Sequence, residues 1–157
     1  MAERDVERAL LAHVRDFLLE LGVGFALVGS QFPLEVDGQD YHVDLLFFHV
    51  RLRRYVVVEL KVGAFQPEFV GKMGFYLTAV DATLRQDDHL PSIGLILCKE
   101  RSRVVAEYSL RGAGVPIGVA EYRMREALPG PLRDSLPSAE ELETELSRVA
   151  SGALAVG

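Results

Sequence analysis

The sequence predicts a single α/β domain whose mixed β-sheet is flanked by helices. Its 157 residues carry a net charge of −6, with 49% hydrophobic and 25% charged residues, a composition typical of one globular domain with a substantial core. The predicted elements follow the order α-β-β-β-α-β-α-β, and a meander followed by crossover helices gives both antiparallel and parallel strand pairs. The run at residues 55–62 is β-branched and almost continuously apolar. We expect it to be the central strand.

The first half of the chain predicts one helix and a β-hairpin. Apolar residues recur every three or four positions from residue 3 to residue 21, the stripe of an amphipathic helix, and Gly22 ends it. Three strand segments follow: residues 25–29, 34–36 and 41–48. Asp37-Gly38 favours a tight hairpin turn, so we expect the segments on its two sides to pair antiparallel.

The second half alternates helices and strands before a C-terminal arm. Pro67 suits the first turn of a helix that runs to about Asp81. Three further elements are predicted in order: a strand at residues 93–98, a helix at 101–110 and a strand at 117–122. The proline-rich run at residues 128–137 predicts a linker, and Ser138 with Glu141 has capping-box spacing for a terminal helix. We therefore expect the domain to span residues 1–127, with the linker and helical arm at 128–157.

Several classes of protein are disfavoured by composition. The single cysteine, Cys98, excludes an intrachain disulfide framework, and its apolar neighbours predict a buried strand residue. The acidic balance argues against a non-specific nucleic-acid coat. The chain has no stretch of 18 apolar residues and a charged start unlike a secretory signal, so we expect a cytoplasmic protein outside the membrane.

Three charged residues interrupt strands that otherwise look buried: Asp44, Glu59 and Lys61. Because residues two apart in a strand point to the same face, Glu59 and Lys61 are expected to project together, and Asp44 lies near them if the neighbouring strands pair. Two carboxylates held close in a low dielectric repel unless a cation lies between them, and Mg²⁺ prefers oxygen ligands. The alternative is a structural Glu59–Lys61 ion pair, and the spacing alone leaves both interpretations open.

Together with their neighbours, these residues resemble the PD-(D/E)XK nuclease superfamily. Asp44 is followed after 14 residues by Glu59-Leu60-Lys61, between one predicted helix and the next. Seven segments are similar to the C-terminal nuclease domain of a bacterial family long of unknown function: Phe25-Ala-Leu-Val-Gly, Leu34-Glu-Val, Asp44-Leu-Leu-Phe-Phe-His, Val57-Val-Glu-Leu-Lys, Gly71-Lys-Met-Gly-Phe-Tyr-Leu, Ile93-Gly-Leu-Ile-Leu-Cys-Lys and Pro116-Ile-Gly-Val-Ala-Glu-Tyr. The resemblance covers about residues 8–146 and implies a restriction-endonuclease-like α-β-β-β-α-β core.

The resemblance also implies an activity and a set of site residues. The expected reaction is phosphodiester hydrolysis, with DNA as substrate and Mg²⁺ as cofactor, for which Mn²⁺ can substitute. Asp44, Glu59 and the backbone carbonyl of Leu60 would bind the metal, and Lys61 would steer the attacking water. Glu20 matches an acidic residue that many members contribute from the first helix, although an exposed glutamate in a last helical turn explains it equally well.

Two positions depart from the pattern of the superfamily. Many members carry Gln-x-x-x-Tyr on the second helix, where this chain has Lys72 and Tyr76. Members also tend to have a basic residue just before Gln31, where this chain has Ser30. We expect Gln31 and Lys72 to contact substrate, while Tyr76 fits either the cleft or the core.

The resemblance extends to partners. Members usually carry a helical, nucleic-acid-related domain ahead of this one, so a further domain or partner is expected to supply phosphate contacts. Nucleases of this fold often pair to cut two strands, which makes a homodimer the expected assembly. The alternative function is a catalytically idle nuclease-fold module for nucleic-acid binding or protein assembly, with residues 140–148 mediating self-association.

Overall fold

A five-stranded mixed sheet forms the centre of the protein. The computed structural model describes residues 8, 9, 11, 12, 14, 15, 24–111 and 116–121. The strands are β1 (Phe25–Val36), β2 (Gln39–His49), β3 (Arg54–Leu60), β4 (Ile93–Cys98) and β5 (Ile117–Glu121), in the spatial order β1-β2-β3-β4-β5. The first three strands pair antiparallel and the last three pair parallel. The mixed sheet and the central position of β3 are therefore confirmed.

The hairpin between β1 and β2 forms at the predicted turn. Asp37 and Gly38 have φ angles of 51° and 77°, and positive φ at both central residues matches the right-handed twist of the flanking strands. β1 is one continuous strand instead of the two predicted segments. A register shift between Leu27 and Gly29 and a positive φ at Gln31 bend β1 without ending its pairing with β2, as a β-bulge does.

Helices cover both faces of the sheet, as predicted. The first helix, α1, is described at residues 8, 9, 11, 12, 14 and 15, and the others are α2 (Glu68–Thr83) and α3 (Arg103–Arg111). Val14 of α1 packs on one face against Leu45, Phe47, Val56, Val58 and Leu60. α2 and α3 pack on the other face against Val57, Ile96 and Cys98, and the fully buried Cys98 confirms its prediction.

A buried polar cluster fixes the start of β3 to the segment between α2 and β4. Arg54, only 3% exposed, donates from Nε to the carbonyl oxygen of Pro91 at 2.7 Å. The amide of Ser92 donates to Asp81 Oδ1 at 3.0 Å. These bonds hold α2 against the sheet at the start of β3 and β4, at the opposite end of β3 from Glu59.

The C-terminal predictions fall on residues that the structure does not describe. Tyr122, the linker at residues 128–137 and the helix that follows lie outside the described residues, so the division at residue 127 stays a prediction. Among the described residues, no helix is long and apolar enough to cross a membrane.

Two glycines in the α2–β4 layer should respond oppositely to alanine. A Cβ atom on Gly94 would lie 2.7 Å from Sδ of the buried Met73, whereas one on Gly71 would have no neighbour within 4 Å. We expect Gly94→Ala to lower the free energy of unfolding by about 1–3 kcal/mol through overpacking. Gly71→Ala should raise it by about 0.5–1 kcal/mol, since Gly71 is an exposed residue within α2. Urea unfolding measures both, and equal stability of the two variants would contradict the packing described here.

Candidate active site

The strands β2 and β3 bring Asp44 and Glu59 together where their backbone pairing ends. Leu45 pairs with Val58, and Asp44 and Glu59 are the next residues beyond that pair. The amide of Asp44 donates to Glu59 Oε2 at 2.7 Å, and the amide of Leu60 donates to Asp44 Oδ2 at 2.8 Å. Each carboxylate therefore satisfies a backbone N–H of the other strand.

Glu59 is the buried member of this pair. It is 5% exposed, and burial raises the pKa of Glu59 to about 7, with the charge of Asp44 adding to the rise. The hydrogen bond from the Asp44 amide and the charges of Lys61 and Lys72 lower the pKa but do not outweigh burial. A carboxyl group with this pKa is ionised only in part at neutral pH, and a nearby cation would favour the ionised form.

Lys61 follows directly after β3 and points to the same site as Glu59, as predicted. Its amide donates to the carbonyl oxygen of Leu97 at 2.7 Å, and its Nζ lies 3.9 Å from Glu59 Oε1. That distance exceeds the range of an N–H···O hydrogen bond. Glu59 and Lys61 therefore form an ion pair without a hydrogen bond between these two atoms. The alternative of a purely structural ion pair does not account for Asp44, whose amide donates to Glu59.

Phe69 holds the ammonium group of Lys61 from the α2 side. Lys61 Nζ lies 5.0 Å from the centroid of the Phe69 ring, within the range of a cation–π interaction. Phe69 lies within the helix predicted from Pro67 to about Asp81. An aromatic residue at helical spacing carries no signal that separates this contact from ordinary core packing.

Lys72 and Tyr76 lie one turn apart on α2, beside Glu59. Lys72 Nζ is 5.8 Å from the centroid of the Tyr76 ring. Tyr76 belongs to the core, and it also lines a small pocket with Glu59 and Lys61. It therefore lies both in the core and beside the candidate site. Burial and the charge of Glu59 raise the pKa of Tyr76, while Lys72 lowers it. The residues that line this pocket are Glu59, Lys61, Phe69, Lys72, Met73, Tyr76 and Ile96.

Gln31 reaches the site from β1. It stands opposite Asp44, between the pairs Ser30–Leu45 and Phe32–Val43, and its Nε2 donates to Asp44 Oδ1 at 3.1 Å. The φ angle of Gln31 is 46°, a left-handed conformation that costs roughly 1–3 kcal/mol for a residue other than glycine. The observed partner of Gln31 is therefore Asp44.

The described residues provide an oxygen donor set for a hard divalent cation. The carboxylates of Asp44 and Glu59 each accept a hydrogen bond from a backbone amide of the neighbouring strand. The carbonyl of Leu60 is adjacent to Glu59 in sequence. In the described ranges there is no group of three or more His, Cys, Asp or Glu residues arranged for a metal. Mg²⁺ commonly uses one or two carboxylates and keeps several waters, so this set fits it. Glu20 lies outside the described residues, and its role stays a prediction.

Comparison with known proteins identifies the family of this chain. The family model described as the YhcG PDDEXK nuclease domain matches residues 1–137. The Escherichia coli (strain K12) protein named "Putative nuclease YhcG" is 41% identical over 147 residues, which are 94% of this chain and 36% of that protein. The chain thus spans about a third of the length of this relative.

A solved structure shares the fold. The crystal structure of a repair endonuclease from Pyrococcus abyssi matches with a TM-score of 0.50 and 14% identity, over 78% of this chain and 47% of that chain. The restriction-endonuclease-like core is therefore confirmed. Because the family match covers most of the 157 residues and the Escherichia coli relative is 41% identical, the chain belongs to the YhcG PDDEXK nuclease domain family.

Proposed function

We propose that this domain is a metal-dependent nuclease that hydrolyses phosphodiester bonds of DNA, with Mg²⁺ as cofactor and Mn²⁺ as a substitute. The observation that carries the proposal is the crossed hydrogen bonding of the two strands, in which the Asp44 amide donates to the Glu59 carboxylate and the Leu60 amide donates to the Asp44 carboxylate, beside the ammonium group of Lys61. Two like charges held this close repel each other unless a cation lies between them. Membership of a nuclease domain family supports the same reaction.

Asp44, Glu59 and the Leu60 carbonyl would hold the metal ion. When bound, such an ion supplies Lewis-acid stabilisation of charge on the scissile phosphate and lowers the pKa of water. Gln31 donates to Asp44 Oδ1, so it acts here by orienting that carboxylate. Contact of Gln31 with the substrate stays a prediction.

Lys61 and Lys72 would act on the substrate. Lys61 Nζ lies between Glu59 and the Phe69 ring, a position from which it would orient the attacking water and donate to a phosphate oxygen. Lys72 is exposed beside the same pocket and would contact a phosphate of the substrate strand. Tyr76 would support Lys72 through the face of its ring.

DNA is the substrate class that we propose first. The Escherichia coli relative is named as a nuclease, and a protein of the same fold is a repair endonuclease. The net charge of −6 supports a further domain or partner that supplies additional phosphate contacts.

Cleavage of labelled DNA tests the proposed reaction. We expect Mg²⁺-dependent cleavage by the wild-type chain and a loss of roughly 10²–10⁴-fold in rate for Glu59→Gln and for Lys61→Met, which keep the size of each side chain but remove its charge. Glu35→Gln and Lys99→Met change exposed residues and serve as matched controls. A folded chain that binds the metal but cuts none of single-stranded, duplex and branched DNA would overturn the proposal in favour of an idle module.

The pH dependence of stability tests the environment of Glu59. Its pKa is raised to about 7 in the fold from an ordinary value of 4.5, so its contribution to stability is fully present below pH 4.5 and is lost as the pH rises through 7. In EDTA, we expect Glu59→Gln to unfold at the same temperature as wild type near pH 4.5 and at a higher temperature at pH 8.

Divalent ions should reverse this difference. Mg²⁺ or Mn²⁺ at pH 8 should raise the melting temperature of the wild-type chain and raise that of Glu59→Gln far less, because a ligand that binds only the folded state stabilises it. Glu35→Gln should follow wild type throughout. If the melting temperatures of wild type and Glu59→Gln change equally with pH and with metal, then burial of the Glu59 carboxylate does not destabilise the fold and Glu59 is not a metal ligand.

A further inference from the structure

A row of three aromatic rings leads from the candidate site to the protein surface. Tyr76 lines the same pocket as Glu59, and its ring centroid lies 6.2 Å from that of Phe75. Phe75 in turn lies 4.9 Å from Tyr41, with the two rings tilted by 60°. Tyr76 is 4% exposed and Phe75 is 39% exposed, while Tyr41 is partly buried, so the row begins buried beside the carboxylates and reaches solvent at Phe75.

Two elements hold this row in place. Lys72, Phe75 and Tyr76 are spaced i, i+3 and i+4 on α2, so they project from one side of the helix. Tyr41 comes from β2, three residues before Asp44, and its hydroxyl donates to Gln39 Oε1 at 3.3 Å. The exposed ring of Phe75 and the partly buried ring of Tyr41 therefore lie between the β1–β2 hairpin and the side of α2 that carries Lys72.

Core packing does not require Phe75 to be a large apolar residue. The buried face of α2 is supplied by Val70, Met73, Leu77 and Val80, and Phe75 is not among its buried residues. An exposed phenylalanine three residues after an exposed lysine on one helix offers the two components used to bind single-stranded nucleic acid: an aromatic surface for the base and a positive charge for the backbone.

We propose that Tyr41 and Phe75 form a stacking platform for an unpaired nucleobase of the substrate strand, with Lys72 contacting a phosphate of the same strand. The inference rests on the proposed nuclease function and specifies its substrate class: nucleic acid with an unpaired nucleotide beside the cleaved bond. In a duplex, a base already stacks on both neighbours and offers no free face. A flipped, frayed or single-stranded base gains a partner at the exposed ring, irrespective of its identity.

Binding measured without cleavage tests the platform. Fluorescence anisotropy in EDTA, at constant low salt, compares a labelled single-stranded oligonucleotide with the blunt duplex that it forms with its complement. We expect Phe75→Leu, which keeps apolar volume but removes the ring, to weaken binding of the single strand roughly tenfold and that of the duplex by less than about twofold. Phe75→Tyr should bind within about twofold of wild type.

Tyr108→Leu is the matched control. Tyr108 is 68% exposed on α3, with the Arg111 guanidinium 5.7 Å from its ring, so it combines an aromatic surface and a cation outside the candidate site. Its replacement should leave both affinities unchanged. Thermal unfolding of each variant confirms that the fold is intact, and Tyr41→Leu provides a second, independent loss of the platform.

Several outcomes would overturn the platform: wild-type affinity of Phe75→Leu for the single strand, an equal loss of affinity for the blunt duplex, or no binding of the single strand by the wild-type chain. Failure of the proposed reaction looks different. If the wild-type chain shows the expected binding pattern but cuts nothing with Mg²⁺, the platform is supported and the proposed nuclease activity is contradicted. If Phe75→Leu cleaves unpaired strands with the same KM as wild type, the platform is contradicted and the nuclease activity is supported.

Discussion

The site depends on one constraint, the exchange of backbone hydrogen bonds between Asp44 and Glu59 where β2 and β3 stop pairing. At this point the amides of Asp44 and Leu60 no longer have carbonyl partners in the opposite strand, and a buried amide without a partner costs about 1–3 kcal/mol. The carboxylate of each acidic residue accepts one of these bonds. The same contacts that satisfy the ends of the strands therefore fix the two acidic groups side by side.

The neighbouring elements supply the groups that balance these charges. Lys61 extends beyond β3, and Lys72 projects from α2, and both lower the pKa of Glu59. Phe69 and Tyr76 on α2 place the faces of their rings toward these ammonium groups. Since α2 is fixed to the start of β3 and β4 through Asp81, Ser92 and Arg54, the position of both cations follows from packing far from the site.

Local patterns predicted those features that local chemistry controls. The Asp37-Gly38 turn, the bounds of β4 and the shared face of Glu59 and Lys61 follow from turn chemistry and the two-residue period of a strand. Gln31 was identified as a site residue, but its hydrogen bond to Asp44 depends on a bulge and a positive φ in β1 that have no sequence signature. The contacts Phe69–Lys61 and Tyr41–Phe75 join residues from different elements, so helical spacing could not distinguish them from core packing.

The two buried charged residues of the sheet show what distinguishes a site from a structural contact. Burial lowers the pKa of Arg54, with Asp81 opposing and Arg85 adding to that shift, and its guanidinium donates to the carbonyl oxygen of Pro91. Glu59 is buried to a similar degree, and the like charge of Asp44 adds to the rise that burial causes in its pKa. Replacing a carboxylate in such an environment would stabilise the metal-free fold, so stability gives no reason for glutamate at this position. A cation that both carboxylates bind would supply one, because the repulsion that raises the pKa of Glu59 then becomes a shared attraction.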